Sequence, residues 1–167
     1  MNVSTLITSL AAQFAVVDSP YHDALERAIH IVESGGRLTG DKPILGDWCP
    51  RRKVHLSRGP LQISRAYHQD SGVDFPYEMV DDLEHALLTY RAYMHRYARP
   101  SRKPEDMTWF EMKARMHNGG PRGHWRLEAT QPYWDKIVPQ LKSPHTHGVS
   151  SNEPHVDGGT NKESRND

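Results

Sequence analysis

The chain contains one cysteine, Cys49, among its 167 residues, so no disulfide within the chain can stabilise its fold. Stability must come from a packed core, and the residues that can build one are unevenly distributed. Residues 143–167 carry only two aliphatic side chains, Val149 and Val156, too few to offset the entropy cost of ordering. The sequence therefore predicts one folded domain over residues 18–142 and a disordered polar tail over residues 143–167.

The first 17 residues are rich in apolar side chains and contain no charged side chain. A secretory signal normally carries Lys or Arg before its apolar segment, and none is present here. We expect residues 1–17 to form an N-terminal helix packed on the domain, with a degenerate or truncated signal as the alternative. A signal would make the protein secreted or periplasmic, and otherwise it would be cytoplasmic, so the sequence leaves localisation undetermined. No apolar run reaches the roughly 18 residues that a membrane-spanning helix needs.

The charge balance argues against one class of partner. Lys and Arg number 21, as do Asp and Glu, and the net charge is zero at pH 7. Bulk electrostatics would therefore not drive binding of nucleic acid. A metal site is not indicated either: His145, His147 and His155 lie in the polar tail, where no packed scaffold would hold them. His55 and His68 lack partners at ligand spacing, so we expect neither a metal nor a cofactor. The sequence does not indicate an oligomeric state.

Apolar side chains recur with the helical period through most of the domain. The clearest helix is predicted at residues 20–34, with Asp18 or Ser19 as its N-cap and Gly35-Gly36 as its end. Its apolar positions follow one another at i, i+4, i+7, i+8 and i+11, which is one face of a helix. Further helices are predicted at residues 61–70, 77–98, 105–116 and 128–138.

Residues 37–61 have a different character, because glycines and prolines divide them into short runs. Residues 53–56 alternate polar and apolar side chains, which predicts a small, irregular β-hairpin in this region. The chain order predicts an α+β fold that is mostly helical, with a small β-hairpin after the helix that carries Glu33.

Glu33 is the first candidate for chemistry. It lies at the end of the first predicted helix, on the border of its apolar face and directly before Ser34-Gly35-Gly36. The negative end of the helix dipole and apolar surroundings both disfavour a charged carboxylate, and a retained proton suits a general acid. The alternative is a solvated glutamate at a frayed helix end, which the local pattern taken alone favours.

Two further carboxylates, Asp41 and Asp47, each follow a glycine. Aspartate after glycine commonly serves a turn, where its side chain accepts a hydrogen bond from a backbone N–H. A glycosidase would need one of them to face Glu33 across a cleft. Gln62 is a polar residue between two apolar neighbours, and it either satisfies backbone groups or binds a ligand.

The segment at residues 117–121 combines ligand-binding side chains with two glycines. His117 and Asn118 offer donors and acceptors suited to sugar hydroxyls and amides. Gly119 and Gly120 would let the backbone approach a bound ligand closely. The alternative is a helix end followed by a turn.

In this order, these segments resemble an invertebrate-type (i-type, destabilase-like) lysozyme domain, in a cysteine-poor version of the kind seen in bacteria. The resemblance covers roughly residues 22–138. Its specificity comes from Glu33-Ser-Gly and His117-Asn-Gly-Gly-Pro at this separation, with Gly59-Pro-x-Gln-Ile between them. The matching segments are residues 28–36, 45–47, 56–63, 66–70, 116–123 and 129–134.

The resemblance implies a lysozyme-like fold and cleavage of the β-1,4 links between N-acetylmuramic acid and N-acetylglucosamine, with peptidoglycan glycan strands as the partner. It places the family's catalytic acid on Glu33. The second carboxylate transfers less directly, because residues 34–58 form a longer stretch than in animal members; we prefer Asp47, with Asp41 as the alternative. Substrate contacts would fall on Ser57, Gln62, Tyr67, His117 and Asn118.

Two alternatives to a lysozyme follow from these ambiguities. The uncertain second carboxylate leaves room for a catalytically weak module that binds peptidoglycan or another glycan on the same fold. A helical protein without a sugar site, in which the apparent motifs are caps and turns, is the other. The sequence does not decide between chitin and peptidoglycan as the substrate.

Overall fold

The computed structural model describes residues 19–143. The predictions for residues 1–17, and for the tail from residue 144 onward, lie outside the described residues. The described range forms a mostly helical α+β fold with one two-stranded antiparallel sheet, as predicted. No helix in this range is both long and apolar enough to cross a membrane. The helices are α1 (Ala24–Ser34), α2 (Arg65–Ser71), α3 (Leu83–Tyr97), α4 (Trp109–Gly119) and α5 (Leu127–Lys142), and the strands are β1 (Trp48–Cys49) and β2 (Val54–His55).

Helix α1 begins later than the apolar pattern predicts. Its N-cap is Asp23 instead of Asp18 or Ser19, and the Asp23 side chain accepts a hydrogen bond from the Glu26 N–H at 3.0 Å. The cap places the first helical residue at Ala24. The apolar face is the predicted one, and its fully buried members are Leu25, Ala28 and Ile29.

The long helix predicted at residues 77–98 is two elements. A short 3-10 helix covers Tyr77–Asp81, and α3 follows after a break at Asp82, whose backbone is extended. The Asp82 side chain accepts a hydrogen bond from the His85 N–H at 3.1 Å, so a local cap interrupts a continuous apolar stripe. Val80, in the 3-10 helix before the break, is nevertheless fully buried.

Helix α4 starts at Trp109, not at residue 105, because Thr108 provides its N-cap. Trp109, at the first helical position, is 39% exposed, whereas Met112 and Met116 are fully buried. The last turn of this helix carries His117 and Asn118.

The glycines after Asn118 serve packing of the helices. Helices α4 and α5 contact each other closely, and an added Cβ on Gly119 would lie 2.7 Å from the Thr130 Cγ2 atom on α5. Gly120 has a φ of 79° and forms the turn that follows α4. Gly119 thus allows close helix packing and Gly120 a turn with positive φ, while the expectation that they let the backbone approach a ligand stays a prediction.

A buried ion pair joins α1 to α3. Glu26 is buried, and its carboxylate accepts two hydrogen bonds from Arg91, at 2.8 Å from Nε and 2.7 Å from Nη2. The His22 N–H donates a third, at 2.7 Å. A bidentate pair of this kind sets the relative position of the two helices as well as adding stability.

The β-hairpin continues beyond its two named strands. Trp48 pairs with His55 in the antiparallel register, and an isolated bridge joins Leu45 to Arg58 further along the same ladder. Between them, the Leu56 N–H donates to the Asp47 carbonyl at 2.9 Å. Residues 45–47 and 56–58 are thus held side by side, although they are distant in sequence.

Three buried histidines lead to a prediction about pH. Burial lowers the pKa of His30, His68 and His124 below the ordinary value of 6.5. Below about pH 6.5 the unfolded chain therefore binds more protons than the folded one. The neutral histidines therefore stabilise the folded state fully above about pH 6.5. This stabilisation is lost as the pH falls through their lowered folded-state pKa values. We expect calorimetry to show Tm falling between pH 7 and pH 5.

A matched pair of variants separates these histidines from other titrating groups. His124→Gln should reduce the slope of Tm against pH, whatever its effect on Tm itself. His95→Gln, at an exposed position, should leave the slope unchanged. A wild-type Tm that is flat over this pH range would contradict the expectation.

Candidate active site

The end of α1 presents Glu33 to a cleft. Gly35, with a φ of 69°, terminates the helix, and its N–H donates to the Ile31 carbonyl at 2.8 Å. Glu33 therefore lies in the last turn, next to the fully buried Ile29 face. Its side chain is 19% exposed, so it faces neither the core nor bulk water.

The cleft has a volume of about 380 Å³. Its walls come from the end of α1, the loop before the hairpin, the segment that leads into α2, and the end of α4. Asp41 is not among the lining residues, whereas every other catalytic or substrate-contact residue that the resemblance implied is. The lining consists of Glu33, Gly46, Asp47, Ser57, Gln62, Ser64, Tyr67, His117 and Asn118.

Hydrogen bonds fix the side chain of Gln62. Its Nε2 donates to the Gly59 carbonyl at 2.9 Å, and its Oε1 accepts from the Ser57 hydroxyl at 2.9 Å. The sequence left two roles open for Gln62, and it performs the first of them, because it satisfies a backbone carbonyl. Its φ of 48° lies in the left-handed region, which is rare outside glycine and is maintained only by surrounding contacts.

Gly46 provides the space for the Ser57–Gln62 pair. A Cβ added at Gly46 would clash with the Ser57 hydroxyl and with the Gln62 side-chain oxygen. We expect Gly46→Ala to displace the pair, to destabilise the fold by about 1–3 kcal/mol as overpacking does, and to lower the activity that the resemblance implies. Tm and the rate of cell-wall clearing would measure the two effects.

Gly40→Ala is the matched control, because no atom lies within 4 Å of a Cβ added there. It should change neither Tm nor the clearing rate. Equal Tm values for Gly46→Ala and the wild type would show that the pair tolerates displacement.

His117 faces inward. Its side chain is only 3% exposed, and its Nε2 lies 3.4 Å from Oε1 of Glu33. Its Nδ1 lies 3.4 Å from the Tyr67 hydroxyl, so the imidazole connects a tyrosine to the candidate acid. The sequence suggested direct contact with a ligand, whereas this geometry lets His117 act through Glu33. Asn118, the next residue, is exposed at the cleft.

Tyrosines form the floor behind Glu33. Tyr67 and Tyr93 stack with ring centroids 3.7 Å apart, and the His117 ring packs edge-on against Tyr67 and Tyr90. Burial, with the charge of Glu33 as a further cause, raises the pKa of Tyr67 and Tyr133 well above the usual range. These phenols therefore stay protonated, and Glu33 has an aromatic wall on its inner side.

Tyr133 and Tyr90 are the site residues that the sequence reasoning missed. Both lie in predicted helices, and neither was named as a candidate site residue. The Tyr90 hydroxyl is buried and has no hydrogen-bond partner among residues 19–143, whereas the Tyr133 hydroxyl lies beside the Glu33 carboxylate, which contributes to its raised pKa. A tyrosine at an otherwise aliphatic core position was the available signal, because a buried hydroxyl usually has a partner.

The arrangement defines a class of protein. A partly buried carboxyl and a second carboxylate line one cleft together with hydroxyl and amide side chains, and a glycoside hydrolase uses groups of these kinds.

Among the described residues, no group of three or more His, Cys, Asp or Glu side chains could hold a metal ion.

Comparison with known proteins agrees with this class. No protein-family model matches the chain. A lysozyme from Magallana gigas is 35% identical over 137 residues, which are 80% of this chain and 90% of that protein. The chain belongs to the invertebrate-type lysozyme family.

Solved structures give the same result. Inhibitor-bound lysozyme from Meretrix lusoria is 31% identical, with a TM-score of 0.52, over 71% of this chain and 89% of that one. Tapes japonica lysozyme is 29% identical, with a TM-score of 0.56, over 75% of this chain and 96% of that one. The predicted family and lysozyme-like fold are confirmed, and the glycan-binding module is not favoured. These relatives come from bivalves, so the predicted bacterial version of the family stays a prediction.

Proposed function

We propose that this protein is a muramidase in which Glu33 is the general acid that cleaves the β-1,4 links of peptidoglycan between N-acetylmuramic acid and N-acetylglucosamine. Glycosidase activity of the lysozyme type follows from the family. The observation that supports the role of Glu33 is its position, because a side chain 19% exposed at a polar cleft can meet a sugar without being fully solvated.

Glu33 would donate its proton to the glycosidic oxygen as the bond to the anomeric carbon breaks. The contact with His117 supports different roles for the two carboxyl oxygens of Glu33. If the Tyr67 hydroxyl donates to Nδ1, the imidazole proton lies on Nε2, the ring nitrogen that is 3.4 Å from Oε1 of Glu33. Oε2 is then the oxygen that carries the transferable proton, and His117 is a positioning residue.

Asp47 is the proposed second carboxylate. It lines the cleft that Glu33 faces, and Asp41 does not. A carboxylate there would stabilise the positive charge that develops on the sugar in an oxocarbenium-like transition state. The hairpin ladder supports this role, since the hydrogen bond from Leu56 to the Asp47 backbone fixes the loop beside the cleft.

The remaining lining residues are proposed to bind the sugar. Asn118 is exposed and offers both a donor and an acceptor to hydroxyl or acetamido groups. Ser57 and Gln62 present one hydrogen-bonded pair to the cleft, and the Tyr67 ring closes its inner end.

A defined substrate tests the proposal. The purified protein is incubated with a disaccharide-repeat muropeptide and, in parallel, with a chitooligosaccharide of equal length, and newly formed reducing ends are counted. We expect cleavage of the muropeptide, with N-acetylmuramic acid at the new reducing end. Retention on peptidoglycan without new reducing ends would instead support the glycan-binding module, and cleavage of the chitooligosaccharide alone would reassign the substrate.

A further inference from the structure

We propose that a second pocket, beside the cleft, binds the peptide stem that branches from N-acetylmuramic acid. This inference rests on the proposed function, because it assigns the part of the same substrate that the cleft does not hold. The pocket, here called the hairpin pocket, has a volume of about 640 Å³. Its characteristic lining residues are Leu45, Trp48, Arg52, Leu56, Arg65 and Tyr77.

The hairpin pocket adjoins the cleft. Ser57 and Ser64 line both cavities, the cleft on one side and the hairpin pocket on the other. A stem peptide is attached to the muramic acid ring itself. A ligand whose sugar occupies the cleft therefore has its branch within reach of the pocket.

Apolar side chains are exposed around this pocket. Trp48 is 50% exposed, Val54 48% and Leu56 45%, and all three belong to the hairpin or follow it directly. Exposed apolar side chains grouped around a concavity are typical of a binding surface. The methyl groups of alanine residues in a stem peptide would cover them.

The two cavities differ in chemistry. The cleft carries two carboxylates and two side-chain amides, at Glu33, Asp47, Gln62 and Asn118. The hairpin pocket is lined by no Asp, Glu, Asn or Gln, and its charged groups are guanidinium cations. Hydroxyl-rich sugar rings fit the first set, whereas apolar groups and carboxylates fit the second. A stem peptide combines small apolar residues with free carboxylates.

Arg52 is the cation that is available to a ligand. Arg58 pairs with Asp81, and Arg65 pairs with Glu78 at 3.1 Å while its guanidinium lies over the Tyr77 ring. Arg52 is exposed, and within residues 19–143 it forms no ion pair. Its charge is therefore free to attract a stem carboxylate.

The stem tetrapeptide, without any sugar, is the probe of the first experiment. Titrated into the ¹⁵N-labelled full chain, it should shift the NMR signals of the Trp48 indole and of the residue 52 backbone amide. Arg52→Gln should weaken its affinity about twofold to fivefold, the scale of a solvent-exposed ion pair. Arg51→Gln removes a neighbouring exposed arginine that does not line the pocket, and it should leave the affinity unchanged.

Absence of shifts at the pocket, or equal affinity in Arg52→Gln and the wild type, would overturn the proposal. A chitooligosaccharide that shifts the Trp48 signal while the peptide does not would make the pocket an extension of the sugar site and would overturn it equally. The peptide contains no glycosidic bond, so these outcomes do not depend on Glu33.

Kinetics connect the pocket to the reaction. The ratio of kcat/KM for stem-bearing glycan over glycan stripped of its peptides should fall about twofold to fivefold in Arg52→Gln and stay constant in Arg51→Gln. A wild-type protein that cleaves neither substrate would reject the proposed function, while the peptide titration would still decide whether the hairpin pocket binds a stem.

Discussion

Glu33→Gln is expected to lower kcat for cleavage of a defined muropeptide by about 10²–10⁴, the range that a positioned general acid contributes. Glutamine has nearly the same shape and can keep the contact with His117, but it has no acidic proton to give to the glycosidic oxygen. Reducing ends released per minute, and the loss of turbidity of a cell-wall suspension, measure the effect.

Glu105→Gln is the matched control for this variant. Glu105 is exposed and is not among the residues that line the cleft, so the same chemical change there should leave kcat unaltered. Circular dichroism and Tm establish that both variants fold. Undiminished turbidity loss with Glu33→Gln would reject the role of this residue as the acid.

Asp47→Asn is expected to lower kcat by about 10²–10³, the cost of removing one group that stabilises developing charge in a transition state. The amide keeps the size of the side chain and loses its negative charge, so substrate binding should change less than kcat. Steady-state kinetics on the same muropeptide separate kcat from KM.

Asp41→Asn decides between the two carboxylates that the sequence left open. Both residues are exposed and follow a glycine, but only Asp47 lines the cleft. Asp41→Asn should therefore retain the wild-type rate. The opposite pattern, a slow Asp41→Asn and a normal Asp47→Asn, would move the second carboxylate to Asp41.

The fold achieves its stability without a disulfide. Cys49 is a free cysteine in β1. The cluster of buried apolar side chains instead draws on all five helices, and close approach at glycines brings α4 and α5 together. An added Cβ on Gly123 would clash with the Arg115 carbonyl, which explains a glycine in the turn between these helices.

Local sequence determined the elements and the candidate acid. The period of the apolar side chains before Ser34 and the glycines after it placed Glu33 in the last turn of α1, because helix periodicity and a left-handed stop act over a few residues. Alternation at residues 53–56 indicated the hairpin for the same reason. The periodic pattern predicted one helix over residues 77–98. It did not predict the N-cap at Asp82, which divides this segment into a 3-10 helix and α3.

Tertiary structure alone decided which side chains meet. Asp47 and Asp41 each follow a glycine, and the resemblance favoured Asp47; that Asp47 lines the cleft with Glu33 depends on the ladder that holds residues 45–47 against residues 56–58. The inward direction of His117, and the tyrosines behind it, depend on how α4 packs against helices that are distant in the chain. Contacts of this kind are set by the packing of the whole core, which a local pattern cannot encode.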